Sequence, residues 1–598
     1  MAPTVDATGA ASLDSVPLPE PGFIARLNAR IPEWAIAGFI TLVSGFLRFW
    51  RLSVPHEIIP LDETYYAKDA AAYLKHGVEG GFAVHPPIGK WMIAAGEAIF
   101  GNRPFGWRFS AAVVGTLCIL LTYLVARRLF HSRFAAVTAS IFVATDGLFF
   151  VQSRIAMLDI FLAFFILLAF WLVLEDRART GPDHTGVRWW RIAAGAAIGL
   201  AIATKWSAAP LVPIFIELLI VLEVRRLHPP RTWLLRLVSV QALAALILGS
   251  VFVFHSTVVK ITALVAATAL AIIWVIGERY ALQQETQVAD AAPDGSETPL
   301  PSDRPPFPRP ATRSVAGILG AFVILPVFVY LFSYTPWFLS TKRYVPPRCN
   351  VPAVVNGVSK SFPKKGWSLW WCYQREIWDY HKNLKSTKED GITPVHPYMS
   401  HAWSWPWIGR PAAHYFESTH VKFVELDSEI LGVPNPAVWW PAFFVAIPLL
   451  LWWSGLNRIV WWIRNLFRSR GKREDEDETA PRAPPVIHEA AVLILAMFAP
   501  LYLPWLVQSR PLFMFYMTPA VPFLALAMTF ALMRALARWP ALTTVVTAYV
   551  AVSIMTFAYF YPVLAALPVP HDGTFGWHAR MWFQSDCLSK FIKIRCWI

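Results

Sequence analysis

Thirteen apolar runs, each close to the length needed to cross a bilayer, recur along this chain. They fall at approximately 35–53, 107–127, 134–151, 157–175, 191–206, 207–224, 234–254, 258–278, 314–334, 438–454, 489–507, 512–533 and 541–562. A helix needs about 20 apolar residues to span a hydrocarbon core about 30 Å thick. In that core every backbone N–H and C=O must be satisfied within the segment, so runs of this kind become helices. The chain is therefore read as an all-α polytopic membrane protein with about 11–13 transmembrane helices. Composition agrees: 15% of residues are charged, against about 25% in an average soluble domain.

Orientation follows from the basic loops. Arg127-Arg128 with Arg133, Arg225-Arg226 with Arg231, Arg464 to Arg473, and Arg534 with Arg538 follow alternate runs, and positive loops stay in the cytoplasm. With thirteen crossings they share one side with the N-terminus. Removing the pair 234–278 as a hairpin preserves that parity. The net charge of +14 reflects these loops, and no nucleic-acid reader module is visible. The expected layout is a cytoplasmic tail 1–34, an N-terminal membrane module 35–334 with an outer loop 54–106, an outer loop 335–437, C-terminal helices 438–562 and an outer tail 563–598. Residues 1 to about 33 are polar, with no signal-peptide h-region, so the first span is read as an uncleaved anchor. The stretch 280–312 and the acidic run Glu474 to Glu478 read as solvated cytoplasmic linkers. Cys118 lies in an apolar run. Cys349 with Cys372, and Cys587 with Cys596, share outer segments, where each pair is open to disulfide formation.

Polar residues concentrate at the outer ends of the runs. Asp62-Glu63-Thr64-Tyr65-Tyr66 and His85-Pro86-Pro87-Ile88-Gly89-Lys90 lie in the first outer loop. Arg108, Asp146, Arg154, Asp159, Lys205 and Arg510 lie at outer helix ends or turns. Ionisable groups at such depth are expensive and point to function. A structural alternative stands beside this: lysines and arginines at helix ends snorkel to the headgroups, and Asp146 and Asp159 have Arg154 as a partner. The stretch from Tyr65 through Lys75 is amphipathic and fits an interfacial helix, and the Pro-Pro pair stiffens the return to the membrane. Cations at a lipid interface hold phosphate, and a carboxylate beside them deprotonates a hydroxyl. On the outer face an activated sugar arrives on a lipid phosphate. That leaving group departs as a stable anion, so one general base suffices, unlike the two carboxylates of a glycosidase.

Several of these residues, in order, resemble the protein O-mannosyltransferases. They are Leu61-Asp62-Glu63, His85-Pro86-Pro87-Ile88-Gly89-Lys90, Arg108-Phe109-Ser110-Ala111, Ser153-Arg154 with Leu158-Asp159, Lys205-Trp206, and Pro504 through Tyr516. The resemblance implies a GT-C glycosyltransferase fold and transfer of mannose from a polyprenyl-phosphate carrier to Ser or Thr of exported proteins. It implies a multi-pass plasma-membrane enzyme with its site on the exoplasmic side. It places the catalytic base on Asp62 and the donor-phosphate cations on Arg108 and Lys205. His85, Arg154 and Arg510 map to motif positions near the donor, and Glu63 either orients the acceptor or is a structural neighbour. The run Tyr398-Met399-Ser400-His401-Ala402-Trp403-Ser404-Trp405-Pro406, in a loop too short for the β-trefoil MIR insert of eukaryotic members, is similar to the actinobacterial branch. No dedicated metal-ligand cluster is visible, although a divalent cation stays open, as does coupling to the secretion translocon. The rivals are a transferase of the same fold with a lipid acceptor, resembling the aminoarabinose-to-lipid A enzymes, and a transporter. Transporters place their sites near the midplane and show repeated halves, which this chain does not.

Overall fold

The computed structural model describes residues 31–59, 62–81, 84–180, 186–227, 316–355, 358–387, 395–457, 459–461, 464 and 488–582. The helices in chain order begin with α1 (Glu33–Phe49), α2 (Glu63–His76), α3 (Ile88–Phe100), α4 (Pro104–Phe130) and α5 (Arg133–Ala144). Next come α6 (Gly147–Gln152), α7 (Asp159–Arg179), α8 (Trp189–Ile202), α9 (Leu211–Leu227) and α10 (Ala316–Ser333). After α11 (Gly366–Asn383) follow α12 (Pro436–Leu456), α13 (Glu489–Val507), α14 (Met514–Arg538) and α15 (Pro540–Leu564). Eleven of the thirteen apolar runs coincide with helices here. The runs 234–254 and 258–278, the linkers 280–312 and Glu474 to Glu478, the N-terminal tail up to residue 30, and Cys587 with Cys596 lie outside the described residues.

Helix α4 runs through the centre of the N-terminal module, packed against α1, α3, α5 and α7. It carries one charge cluster at each end. Arg108, near its start, pairs with Glu63. Arg127, near its end, pairs with Glu33 of α1, which also takes Arg133. Nineteen residues of helix separate the two arginines, about 28 Å at 1.5 Å per residue, close to the thickness of a hydrocarbon core. The ion pair of Arg177 with Glu489 joins the end of α7 to the start of α13. The helix periphery is apolar: Phe39, Leu42 and Phe46 of α1 and Val545, Val552 and Met555 of α15 are exposed, as lipid-facing surface requires. Gly195 and Gly199 of α8 let it approach α10, because a Cβ on either would collide with the backbone at Ala321 or Pro326. Small residues one turn apart serve this purpose between membrane helices.

The stretch 335–437, expected as a single outer loop, carries strands and a helix of its own among the described residues. The strands β1 (Asn350–Val355) and β2 (Val358–Pro363) form an antiparallel hairpin, and the Cys349–Cys372 disulfide ties its base to α11. A second hairpin joins β3 (Ala412–Val421) to β4 (Val424–Gly432), with Ala412 opposite Gly432 and Val421 opposite Val424. The short strand β5 (Val569–Pro570), after α15, adds to its edge at Leu426 and Asp427. A one-turn helix α16 (Trp577–Arg580) closes the described chain. Cys118 is buried and free.

Candidate active site

The segment between α1 and α4 is held by two buried ion pairs. Glu63 opens α2, and its carboxylate accepts from the backbone N–H groups of Ile59 (3.1 Å) and Ala156 (2.8 Å) and from the Trp107 indole (3.2 Å). It also meets Arg108 Nη2 at 2.8 Å. Arg108 spends its remaining donors on the carbonyls of Leu52, Pro55 (2.8 Å) and Glu57 (2.9 Å). Both side chains are buried. The second pair closes the return: Lys90 meets Asp69 of α2 at 2.8 Å and Glu79 at 3.5 Å. Burial raises the Glu79 carboxyl while Lys90 opposes the shift.

Asp62 stands at the N-terminus of α2, where its carbonyl receives the N–H groups of Tyr65 and Tyr66. Its side chain makes no capping bond. The carboxylate is partly buried, and Oδ2 accepts from the Tyr66 hydroxyl at 3.3 Å. Burial pushes the Asp62 carboxyl above the usual carboxylate range, against the pull of the Lys205 and Arg510 charges. A raised carboxyl pKa makes a stronger base.

The chain reaches Lys205 through a sharp helix end. α8 stops at Ile202, and Lys205 is extended (φ −156°, ψ 130°), which turns its side chain toward α7. Its ammonium lies 2.8 and 2.9 Å from the two oxygens of Asp159 and 4.7 Å from the centre of the Tyr516 ring. Arg510 stacks over the same ring at 5.5 Å and over Trp505 at 5.4 Å. Arg510 Nη1 donates to His381 Nδ1 at 3.1 Å. That bond sets the His381 tautomer with its proton on Nε2, which donates to the Val84 carbonyl at 3.0 Å. Burial and Arg510 push the His381 imidazole down to about 4. The His381 ring lies 5.1 Å from that of His85, whose own pKa burial and the Lys205 charge hold well below the ordinary value. Both rings are therefore neutral at pH 7.

Of the residues expected at the site, the structure gathers Asp62, His85, Lys205 and Arg510 around Tyr66 and Tyr516. It places Glu63, Arg108 and Arg154 beneath them. Arg154, expected near a phosphate, donates instead to the carbonyls of Leu47 (3.0 Å), Arg48 (2.7 Å) and Trp50 (2.7 Å), the frayed end of α1. Those carbonyls have no partner within the helix, and Arg154 satisfies them. Arg108, expected to hold phosphate, is equally committed to Glu63 and the loop. The His-Pro-Pro run acts at the backbone. The Ile88 N–H donates to the Ala203 carbonyl at 3.0 Å, and a Cβ on Gly89 would lie 2.7 Å from Leu158 Cδ2. The start of α3 thus seats directly beside the Lys205 turn. His381 and Tyr516 were not singled out in sequence. Tyr516 lies in the matched Pro504–Tyr516 segment, whereas His381 had no local signal at all.

Comparison with known proteins follows this geometry. The family described as dolichyl-phosphate-mannose-protein mannosyltransferase matches residues 38–107 and 98–264. The C-terminal four TMM region of protein-O-mannosyltransferase matches residues 366–586. A polyprenol-phosphate-mannose–protein mannosyltransferase of Mycolicibacterium smegmatis is 29% identical, over 95% of this chain and 95% of its own. One of Mycobacterium tuberculosis is 28% identical, over 95% and 94%. In structure, the chain is similar to the S. cerevisiae protein O-mannosyltransferase Pmt1-Pmt2 complex bound to the sugar donor, with a TM-score of 0.59. That match covers 92% of this chain and 93% of the other at 14% identity, and it carries the fold alone. The arrangement is the GT-C fold.

Proposed function

We propose that this chain, which belongs to the protein O-mannosyltransferase family, transfers mannose from a polyprenyl-phosphate carrier to protein hydroxyls. The acceptors are Ser and Thr of exported proteins, met on the exoplasmic face of the plasma membrane. The observation that carries this is the pairing of one partly buried carboxylate, Asp62, with two cations on a shared aromatic ring, Lys205 and Arg510.

In the proposed reaction the donor phosphodiester, with one negative charge, binds between Lys205 and Arg510. Asp159 fixes the Lys205 ammonium, and neutral His381 accepts one N–H of the Arg510 guanidinium, which leaves other guanidinium donors for the phosphate. Asp62 takes the proton from the acceptor hydroxyl. The oxygen attacks the anomeric carbon from the face opposite the phosphate, and the carbon–oxygen bond to phosphate breaks with its electron pair. Polyprenyl phosphate leaves as a monoester, and the anomeric centre is inverted. The two cations stabilise the charge that develops on the leaving oxygen. Glu63 and Arg108 act as positioning residues that hold the Asp62 loop against α4.

The test uses purified protein, labelled polyprenyl-phosphate mannose, and a Ser/Thr-rich peptide beside a lipid acceptor. Label moves to the peptide with the wild type. Asp62→Asn abolishes transfer while melting temperature and donor binding are retained. Near-wild-type transfer by Asp62→Asn sinks the assignment of the base, and label on the lipid alone sinks the acceptor.

A further inference from the structure

A second cluster of chemically competent side chains sits at the exposed end of the β3–β4 hairpin, bonded to none of the active-site residues. β5 lies along β4, and the His571 N–H that follows it donates to the Glu425 carbonyl at 2.9 Å. The turn after it closes tightly, with Gly573 at φ 102° and the His578 N–H returning to the His571 carbonyl at 3.0 Å. This brings the two imidazole rings to 4.8 Å between centres. One ligand atom from each of His571, Asp572 and His578 lies within 4.8 Å of the others, and the same holds for Glu425, Asp427 and His571.

The hydrogen bonds around the cluster are those of a ligand set. Asp427 is fully buried; one of its oxygens takes the Ser418 hydroxyl, and the other meets His571 Nδ1 at 2.6 Å. His578 Nδ1 and the Asp572 carboxylate lie 3.1 Å apart, close to the spacing of adjacent ligands on one ion. The Asp427 carboxylate on His571 Nδ1 fixes that ring's tautomer, turns the Nε2 lone pair outward and raises its basicity. Metal-ligating histidines are supported in this way. Trp577 stacks on His571 and donates to buried Glu429 at 2.6 Å, which locks the ring's orientation from beneath.

We propose that His571, His578 and Asp572 bind one divalent transition-metal ion of the zinc class. Two imidazoles with a carboxylate and no thiolate favour zinc or a neighbouring first-row ion over magnesium or calcium. Tetrahedral zinc at about 2.0 Å from each ligand needs neighbouring ligand atoms about 3.3 Å apart, so the ion draws the present group together. The exposed side chains of Asp572 and His578 leave room for that movement. The ion would lock the turn after β5, whose His571 is already bonded to Asp427 of the β3–β4 hairpin, where a two-residue strand is the existing ladder.

The experiment uses tag-free protein in detergent, stripped with a chelator and titrated with zinc chloride against a chromophoric competitor. The wild type is expected to show a saturable site whose affinity falls at least tenfold in His578→Ala and in Asp572→Asn, both exposed positions. Zinc is also expected to raise the melting temperature of the wild type and to raise that of His578→Ala less. Loss of saturable zinc binding in the wild type, an unchanged site in both variants, or equal affinity for magnesium overturns the proposal.

Discussion

Replacing Glu63 by Gln separates holding the base from being one. The Glu63 carboxylate is buried and accepts from two backbone N–H groups, one indole and a guanidinium that is itself fully buried. Gln keeps one acceptor oxygen but turns an amide NH2 toward donors, and it strips Arg108 of its counter-charge. Removing one member of a buried pair costs about 3–5 kcal/mol, because the remaining charge stays unsolvated. The carbonyls of Leu52, Pro55 and Glu57 still solvate Arg108 in part, which places the expected loss near the lower end of that range. The assay is thermal unfolding in detergent beside transfer kinetics. Glu63→Gln is expected to melt several degrees below the wild type. Below that melting point it should transfer mannose at a reduced rate, with the pH profile of the wild type. Adding Arg108→Gln should recover part of the lost stability, since the two residues touch and their effects do not add. Wild-type melting together with complete loss of transfer would refute the reasoning and put Glu63 in the chemistry itself.

Asp62 must be deprotonated to act, so transfer is expected to rise with pH through its titration. Burial places that acid limb above the usual carboxylate range. Lys205→Met removes the charge that opposes burial and should move the limb further to alkaline pH as well as raising KM; a limb that moves toward acid contradicts the assignment. The Cys349–Cys372 bridge closes a loop of 23 residues, which by loop entropy corresponds to about 3 kcal/mol. Cys349→Ser should therefore melt lower, and thiol titration of the denatured protein should show two fewer thiols released by reductant. An unchanged count means that the bridge does not form. Arg154→Met should destabilise the protein by leaving the carbonyls at the end of α1 unsatisfied while donor KM stays near wild type; a selective rise in KM would return Arg154 to the phosphate.

The membrane helices were legible because bilayer thickness fixes both length and composition, and α4 or α14 satisfies both conditions by itself. Asp62, His85, Lys205 and Arg510 were legible because charge is rare where it is costly. What those charges touch was not. Arg108, Arg154 and Lys205 are alike in sequence, each a cation at an outer helix end. Their fates diverge because the end of α1 and the turn after it, residues 47–57, present carbonyls to the two arginines, whereas Lys205 is turned by its extended backbone toward Asp159. His381 was invisible, since it reaches Val84 from 297 residues away on a helix anchored by a disulfide. The two hairpins read as loop, because β3 is mostly exposed along its length and offers little apolar alternation. The metal-competent cluster was hidden for the same reason as His381: Asp427 and His571 are 144 residues apart.

The two cations on the Tyr516 ring have a consequence for turnover. In the proposed reaction the donor arrives as a phosphodiester with one negative charge, and the spent carrier remains as a monoester approaching two. Lys205 and Arg510 therefore grip the product more strongly than the substrate, in a recess where water screens little. Departure of the bare lipid phosphate is therefore expected to be slow relative to glycosidic bond formation, and a pre-steady-state burst of transferred mannose is the measurement that checks it. Removal of that spent lipid from the membrane is then expected to speed turnover.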